Sequence, residues 1–404
     1  MAVSSYRSIA VHQDTCLECG FCEQFVDCAR RQTGCIGCGA CLKGCPQGAI
    51  RLQERRERGD AVRFSVDGDR FEAEGPLSIL AALKYAGRSP VDRQGSPDAE
   101  ADLCATGGCW ACAVVANGEL VRSCITPLER EMAIITDPEV IRRTPPRRLV
   151  TLMRPAPHYH PSIFTQGCNF SCDLCHNWDM TFASTGSALT PEETVVRLNL
   201  DLEKDYWVGI SGGEPTLNRP WLIQTIRYLR QKAPEIRIQL DSNASLLTPD
   251  YIDELAASGV TDLSPDLKAA RPETFMKVCG IASQQTAQRY MDTAWQAVAY
   301  LNDVYREQIF TAVSVPCHPR IHSMNELEET ARRLAAINPA MAVTLIEYQP
   351  AFRLRDWPRV SRKGMDMVHK LFVAAGLKRV VIQGGDQVPR AVDPMDLALG
   401  SEEF

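Results

Sequence analysis

The chain has 404 residues, of which 23% are charged and 45% hydrophobic, and its formal net charge is −6. That length leaves room for two or three domains, the composition is that of an ordinary globular protein, and the acidic balance speaks against a nucleic-acid partner. No apolar run reaches the ~18 residues of a membrane span, and the opening Met1-Ala2-Val3-Ser4-Ser5-Tyr6-Arg7 offers no apolar signal region. The expectation is a cytoplasmic protein with no membrane partner. Seventeen cysteines is a high count, and in reducing cytosol such cysteines are metal ligands more often than disulfides. They lie in three groups, at 16–45, 104–124 and 168–175, which leaves only Cys279 and Cys317 apart.

The first group, in residues 1–55, runs Cys16-x2-Cys19-x2-Cys22 with Cys28 after it, then Cys35-x2-Cys38-x2-Cys41-x3-Cys45-Pro46. The second run has the bacterial ferredoxin spacing, and the segment resembles a two-cluster [4Fe-4S] ferredoxin. In that family the fourth cysteine of each run serves the other cluster. The resemblance therefore implies one cube on Cys16, Cys19, Cys22 and Cys45, and one on Cys35, Cys38, Cys41 and Cys28. Five residues rather than three separate Cys22 from Cys28, and no proline follows Cys28. A zinc ribbon is the alternative for eight such cysteines.

In residues 56–140, Val62–Val66 alternates as a strand. Asp67-Gly68 reads as a hairpin turn with Asp69–Ala73 returning, and Ser78–Ala86 has helical spacing ending at Gly87. Then come Cys104-x4-Cys109-x2-Cys112 and, after a hairpin turned at Asn117-Gly118, Cys124. The first three match plant-type [2Fe-2S] spacing. The whole resembles the β-grasp [2Fe-2S] domains of succinate dehydrogenase and of hydrogenase or complex I subunits. Residues 141–160, with Arg142, Arg143, Pro145, Pro146, Arg147, Arg148, Pro155 and Pro157, read as a proline-stiffened linker. Its arginines are a dock for an acidic donor or, more often for such a run, are solvated or lie on the neighbouring domain.

From residue 161 to 404, strands and helices alternate, which argues a parallel sheet. Strands are expected at Ser162–Thr165, Trp207–Ser211, Ile236–Leu240, just before Asp266, Ile309–Val315, Val343–Tyr348 and Val380–Gln383. Helices are expected at Pro191–Glu203, Trp221–Lys232, Pro249–Ser258, Ala282–Tyr300, Met324–Ala336 and Lys363–Ala375. The third cysteine group is Cys168-x3-Cys172-x2-Cys175. Three thiolates hold three irons of a [4Fe-4S] cube, and with no fourth ligand offered nearby in sequence one iron stays open, as at a catalytic metal. A zinc knuckle would need His176 as its fourth ligand. The spacing, Asn169, His176-Asn177, the Gly212-Gly213-Glu214-Pro215 motif, Leu240-Asp241-Ser242-Asn243 and Asp266-Leu267-Lys268 together resemble the radical S-adenosylmethionine (SAM) superfamily, and most of all its activating-enzyme branch.

That resemblance implies an α/β fold, a partial (β/α)6 TIM-type barrel, with sites at the carboxyl ends of its strands. It implies SAM chelated to the open iron of a cube on Cys168, Cys172 and Cys175. Gly212 and Gly213 would admit the ligand, Glu214 would accept a hydrogen bond from the methionine ammonium, and Ser242 and Asn243 would touch the ribose or carboxylate. Leu174, His176 and Gln383 would lie by the adenine, and Asp266 with Lys268 would bind SAM or a target backbone; a surface ion pair is the other reading of that pair. His318 is a substrate contact or, more often for a lone histidine, structural.

The implied activity is one-electron reductive cleavage of SAM to methionine and a 5′-deoxyadenosyl radical that abstracts hydrogen from a peptide or small molecule. Three [4Fe-4S] clusters and one [2Fe-2S] cluster would form a built-in chain to a low-potential donor or acceptor of ferredoxin or flavodoxin type. Two alternatives stand beside this reading. One is a glycyl-radical-enzyme activating enzyme with a protein substrate, although Tyr348–Phe352 lacks the histidine of typical activases and the ferredoxin module stands N-terminal. The other is a non-catalytic iron–sulfur carrier subunit.

Overall fold

A computed structural model describes residues 7–28, 34–55, 60–90, 101–153 and 160–384. The ferredoxin segment hangs on one antiparallel pair, β1 (Arg7–His12) with β2 (Ile50–Arg55), in register from Arg7↔Arg55 to His12↔Ile50. Between them α1 (Phe21–Gln24) and α2 (Ala40–Gly44) each start from a glycine in the left-handed region, Gly20 and Gly39, both at φ 75°. A side chain is disfavoured in that conformation, and it is what turns the chain sharply between successive cysteines.

The next segment is a five-stranded sheet in the order β4-β3-β7-β5-β6. Its strands are β3 (Ala61–Val66), β4 (Asp69–Glu74), β5 (Ala113–Ala116), β6 (Glu119–Arg122) and β7 (Met132–Ile135). The hairpins turn at Asp67-Gly68 and Asn117-Gly118, as the turn residues predict. Helix α3 (Ile79–Tyr85) is capped by Ser78 Oγ, which accepts from Ala81 N at 3.2 Å. It lays Ile79 and Leu83 on Phe64, Val66, Val114 and Ile134.

The stretch read as a linker is partly built into the fold. Helix α4 (Pro138–Ile141) reaches its start. Strand β8 (Val150–Met153) pairs antiparallel with β9 (Ser162–Thr165), Val150 opposite Thr165 and Met153 opposite Ser162. Arg142, Arg143 and Arg147 are exposed, but Arg148 is neither solvated nor a docking residue: it is 0% exposed. It donates to the carbonyls of Pro215 (2.6 Å), Glu214 (2.6 Å) and Gln166 (3.1 Å). Loop carbonyls beyond the ends of strands have no ladder partner, and one guanidinium supplies several donors in a fixed fork. Composition does not distinguish that use from a solvated basic run. Pro155 and Pro157 lie outside the described residues.

Parallel strands β9, β10 (Trp207–Gly212), β11 (Arg237–Ser242), β12 (Asp262–Pro265), β13 (Phe310–Cys317), β14 (Ala342–Glu347) and β15 (Arg379–Gln383) follow in sequence order, with β8 on the outer edge. The expected barrel is present, extended beyond six strands. Around it lie α5 (Trp178–Thr181), α6 (Pro191–Leu198), α7 (Arg219–Lys232), α8 (Pro249–Ser258), α9 (Pro272–Cys279), α10 (Gln284–Tyr300), α11 (Met324–Ile337) and α12 (Arg362–Ala374). Helix α6 stops five residues short of its expected end because Asn199 adopts φ 50° and caps it, a role asparagine tolerates. Trp221, Ile226 and Leu229 of α7 and Ile252 and Leu255 of α8 pack on Val208, Ile210, Ile238, Leu240 and Leu263 of the strands. Among the described residues no helix is long and apolar enough to cross a membrane.

The three segments share one apolar cluster. It joins Phe21 of the ferredoxin, Leu103, Cys104 and Ile125 of the sheet domain, and Phe182, Leu217 and Phe352 of the barrel. Arg353 fastens the same seam. It donates to the carbonyls of Cys45 (3.1 Å), Leu42 (2.8 Å) and Lys43 (3.1 Å) and pairs with Asp173 at 3.0 Å. Charge-assisted bonds of this kind contribute more than neutral ones. Arg353→Ala should cost roughly 2–3 kcal/mol and release the ferredoxin segment: limited proteolysis should cut within residues 7–55 well before the barrel, and equal cleavage rates in variant and parent would contradict this.

Candidate active site

Each motif lies where a parallel strand ends, the end at which such barrels place their chemistry. The loop after β9 carries the cysteine trio. Cys168 Sγ accepts from Phe170 N at 3.4 Å and from Asn243 Nδ2 at 3.7 Å. Cys175 Sγ lies 3.9 Å from Thr181 Oγ1. Cys279 and then Tyr348 neighbour Cys172 and lower its pKa against the effect of burial. Burial first, and then the neighbouring Cys172 thiol, push Cys168 well above the ordinary thiol range and Cys175 up to about 12. Held as thiolates, sulfurs packed together this way would need a cationic centre.

Cys279 corrects one expectation. The trio has no fourth ligand nearby in sequence, but the fold supplies a thiol in space. The Cys279 carbonyl accepts from Ser171 N at 2.8 Å, and Gly280 can follow it there because a Cβ would lie 2.6 Å from Ser171 O. Linear spacing cannot show a residue that α9 returns to the loop. His176, by contrast, is engaged: Gln349 N donates to its Nε2 at 3.1 Å, and burial lowers its pKa. Among the described residues no three His, Cys, Asp or Glu side chains converge as around one bare ion. A cube takes one thiolate per corner and needs no such convergence, whereas tetrahedral zinc does.

Glu214 is 0% exposed. Its Oε1 accepts from Thr216 N (3.0 Å), Thr216 Oγ1 (2.6 Å) and Ser242 Oγ (2.8 Å), and its Oε2 from Asn243 N (2.6 Å). Burial raises its pKa, and these donors oppose the rise. Oε1 thus takes three donors and Oε2 only one, which leaves Oε2 the less crowded oxygen. Asn243 links this carboxylate to the cluster loop: its Nδ2 also donates to Asn169 Oδ1 at 2.9 Å, and Asn169 Nδ2 donates to Ser245 Oγ at 2.9 Å. The glycines of the motif are pressed against the chain itself. A Cβ on Gly212, at φ 114°, would lie 2.4 Å from Thr165 N, and one on Gly213 would lie 2.3 Å from Gly167 O.

Asp266 and Lys268 are no surface pair. Lys268 Nζ lies 2.7 Å from Asp266 Oδ2, with side chains 15% and 25% exposed. Burial alone would lower the Lys268 pKa, but Asp266, Tyr348 and Cys172 outweigh it and hold the ammonium well above its ordinary value. The pair thus faces the Cys172 side of the loop. Leu174 is 2% exposed and packs in the barrel core, while Gln383 ends β15 and is exposed. His318 is structural: its Nδ1 accepts from Arg320 N at 3.2 Å, its Nε2 is 3.2 Å from Pro358 O, and its ring lies against Trp357.

The Cys104 group is the most deeply buried. Cys104, Cys109, Cys112 and Cys124 are 0%, 0%, 1% and 4% exposed. Cys104 neighbours Cys109, and Cys112 neighbours Cys124. Thr106 Oγ1 and Arg148 Nε beside them are buried without a hydrogen-bond partner, and such orphaned groups suit a sulfide acceptor. In the ferredoxin, Cys38 has Cys28 and Cys35 as electrostatic neighbours, and Cys22 has Cys45 and Cys19. Crossed sets of this kind are the ones the two-cluster resemblance implies. Backbone amides of Ala10 and Ala49 donate to Cys35 Sγ and Cys45 Sγ, each at 3.3 Å. Motif reading missed Arg148, Arg353, Tyr348, Cys279 and Lys43; none belongs to a spacing pattern, and only contact in space reveals them.

An open α/β barrel with a cysteine loop beside a buried GGEP carboxylate defines a radical SAM domain. Comparison with known families agrees: residues 162–334 match the radical SAM superfamily, residues 59–139 a 2Fe-2S iron-sulfur cluster binding domain, and residues 34–76 a 4Fe-4S dicluster domain. The chain therefore carries a radical SAM domain behind two iron–sulfur domains. Part of it is 33% identical to the AdoMet-dependent heme synthase of Methanosarcina barkeri, over 30% of this chain and 34% of that one. It is 32% identical to the pyruvate formate-lyase-activating enzyme of Listeria monocytogenes, over 29% of this chain and 49% of that one. The chain spans a third to a half of these relatives' length. A solved structure of Streptococcus suis SuiB bound to S-adenosylmethionine is similar at 14% identity and TM-score 0.43, over 54% of this chain and 48% of that one.

Two substitutions test the geometry. Gly213→Ala forces a methyl into the Gly167 carbonyl and should destabilise the barrel by at least about 2–3 kcal/mol; a thermal midpoint equal to the parent's would refute the contact. Asp241, its carboxyl raised from 3.8 to about 6 by burial foremost, with Asp266 and Glu214 adding to the rise, is favoured protonated in the folded chain. Its stabilising share is full below about pH 4 and is lost as pH rises through 6. Asp241→Asn should match the parent at pH 4 and exceed it by roughly 1–3 kcal/mol at pH 7, read by denaturant unfolding at both pH values.

Proposed function

We propose that the chain is a cytoplasmic radical SAM oxidoreductase that acts on a peptide or small molecule, with three [4Fe-4S] clusters and one [2Fe-2S] cluster. The observation that carries this reading is Asn243. One residue bonds Glu214 Oε2 through its backbone at 2.6 Å and approaches Cys168 Sγ through its amide at 3.7 Å. It thereby sets the carboxylate that would hold the methionine ammonium at a defined place beside the cluster sulfur. When bound, the open-iron cluster with SAM supplies a 5′-deoxyadenosyl radical by one-electron cleavage.

The chain's own residues bind and orient. Glu214 would meet the ammonium through Oε2, the oxygen that carries a single donor. Ser242 and Asn243 hold that carboxylate and flank the ribose. The Lys268–Asp266 pair presents fixed charge beside Cys172, and buried apolar walls exclude water, which strengthens each of these interactions. A redox partner of ferredoxin or flavodoxin type supplies or takes the electrons.

A second reading, an activating enzyme with a protein substrate, is favoured by the likeness to the activating enzyme from Listeria monocytogenes. Against it, Tyr348–Phe352 has no histidine, and Phe352 is committed to stacking on Trp178 at 5.2 Å.

Anaerobic reconstitution should load about fourteen irons, and dithionite with SAM should then yield 5′-deoxyadenosine, absent in Cys168→Ala. Asn243→Ala should weaken SAM binding about 10–100-fold, as lost outer-shell partners do. Cys279→Ala should keep the full iron content. A variant that lost the barrel cluster would reveal a four-thiolate centre with no open iron, and no deoxyadenosine from the parent would leave only the carrier reading.

A further inference from the structure

Two of the iron–sulfur segments touch the cluster loop in different ways. A Cβ on Gly167 would lie 2.8 Å from Cys109 N and 3.0 Å from Cys104 Sγ, and one on Gly108 would lie 2.6 Å from Gly167 N. The loop bearing the first ligands of the [2Fe-2S] group therefore meets the residue before Cys168 backbone to backbone. The ferredoxin approaches the Cys175 side through rings instead: Phe21 against Trp178 at 5.0 Å and Trp178 against Phe352 at 5.2 Å.

Into the first of these junctions the ferredoxin sends a single cation. Lys43, in α2, donates from Nζ to Cys104 O at 3.0 Å. Burial lowers the pKa of its ammonium, and the groups that oppose the fall are Cys104, Cys168, Cys109 and Cys124. One side chain of the first domain thus neighbours both the ligands of the second and the first cysteine of the third.

We propose that Lys43 is the positioning residue of an electron junction, its ammonium stabilising the reduced state of the [2Fe-2S] centre next to the Cys168 loop. This rests on the reading that these thiols hold iron–sulfur centres. Reduction adds one electron and no proton, breaks no bond, and draws the electron from an external one-electron donor of low potential. The added negative charge in a buried site is offset by a nearby cation more strongly than it would be in water. The effect is to hold an electron one backbone contact away from the catalytic loop. Arg148, which has an unpartnered Nε and has Cys109 and Cys104 as neighbours, adds a second buried cation.

The test is an anaerobic dithionite titration of the full-length, fully loaded protein without SAM, followed by the electron paramagnetic resonance signal of the [2Fe-2S] centre. Lys43→Met should lower the reduced-to-oxidised ratio at the parent's midpoint about tenfold, a downward shift of about 59 mV for a one-electron couple. Lys43→Gln, which keeps a donor for the Cys104 carbonyl, should do the same, and Lys43→Arg should restore the parent value. Equal midpoints in loaded Met, Gln and parent proteins, or a shift confined to the ferredoxin cubes, would overturn the proposal. A parent protein with full iron but no [2Fe-2S] signal would instead overturn the cofactor reading on which it rests.

Discussion

Gly167 is the point on which the assembly depends. Gly108 from the sheet domain and Gly213 from the barrel both press against it, at separations that leave no room for a single side-chain carbon. Its own φ is 85°, a conformation glycine adopts without the steric cost a Cβ would add. Three loops from two domains thus meet as bare backbone. Glu214 N bonds to Gly167 O at 2.9 Å, so the same contact that seats the [2Fe-2S] loop also seats the GGEP loop beside Cys168.

Around that contact the charge is arranged by burial. The thiols are numerous, close together and mostly shielded from water, which on its own drives them toward the neutral form. Arg148, Lys43 and Lys268 are the cations set among them. Each comes from a different segment, and each also has a hydrogen-bond or ion-pair partner. A buried cation left unpaired is costly. Here the cysteine groups are the natural counter-charge, and the cations tie the domains together while tuning them.

The motifs were readable because metal chemistry constrains them locally. A cube or a two-iron centre needs its thiolates at short, repeated intervals, so the eleven residues Cys35–Cys45 or the eight of Cys168–Cys175 suffice to show it. The barrel strands were readable for a similar reason, since buried parallel strands are short apolar runs. Cys279, Tyr348 and Arg148 were not readable. Each reaches its partner through a loop closure or a helix return that no local spacing encodes, and Arg148 sits in a run of arginines and prolines whose composition says only that the segment is polar.

The amino-acid sequence by itself therefore determined the inventory: three cysteine groups, the domain types that carry them, and an α/β barrel with its motifs at strand ends, because ligand spacing and hydrophobic period are properties of neighbouring residues. The tertiary structure alone decided the arrangement. It placed the [2Fe-2S] loop, rather than a ferredoxin cube, in backbone contact with the catalytic loop, returned Cys279 to Cys172, and turned an apparent linker arginine into a buried clamp. Those outcomes depend on which surfaces pack together, and packing is fixed by the whole chain at once.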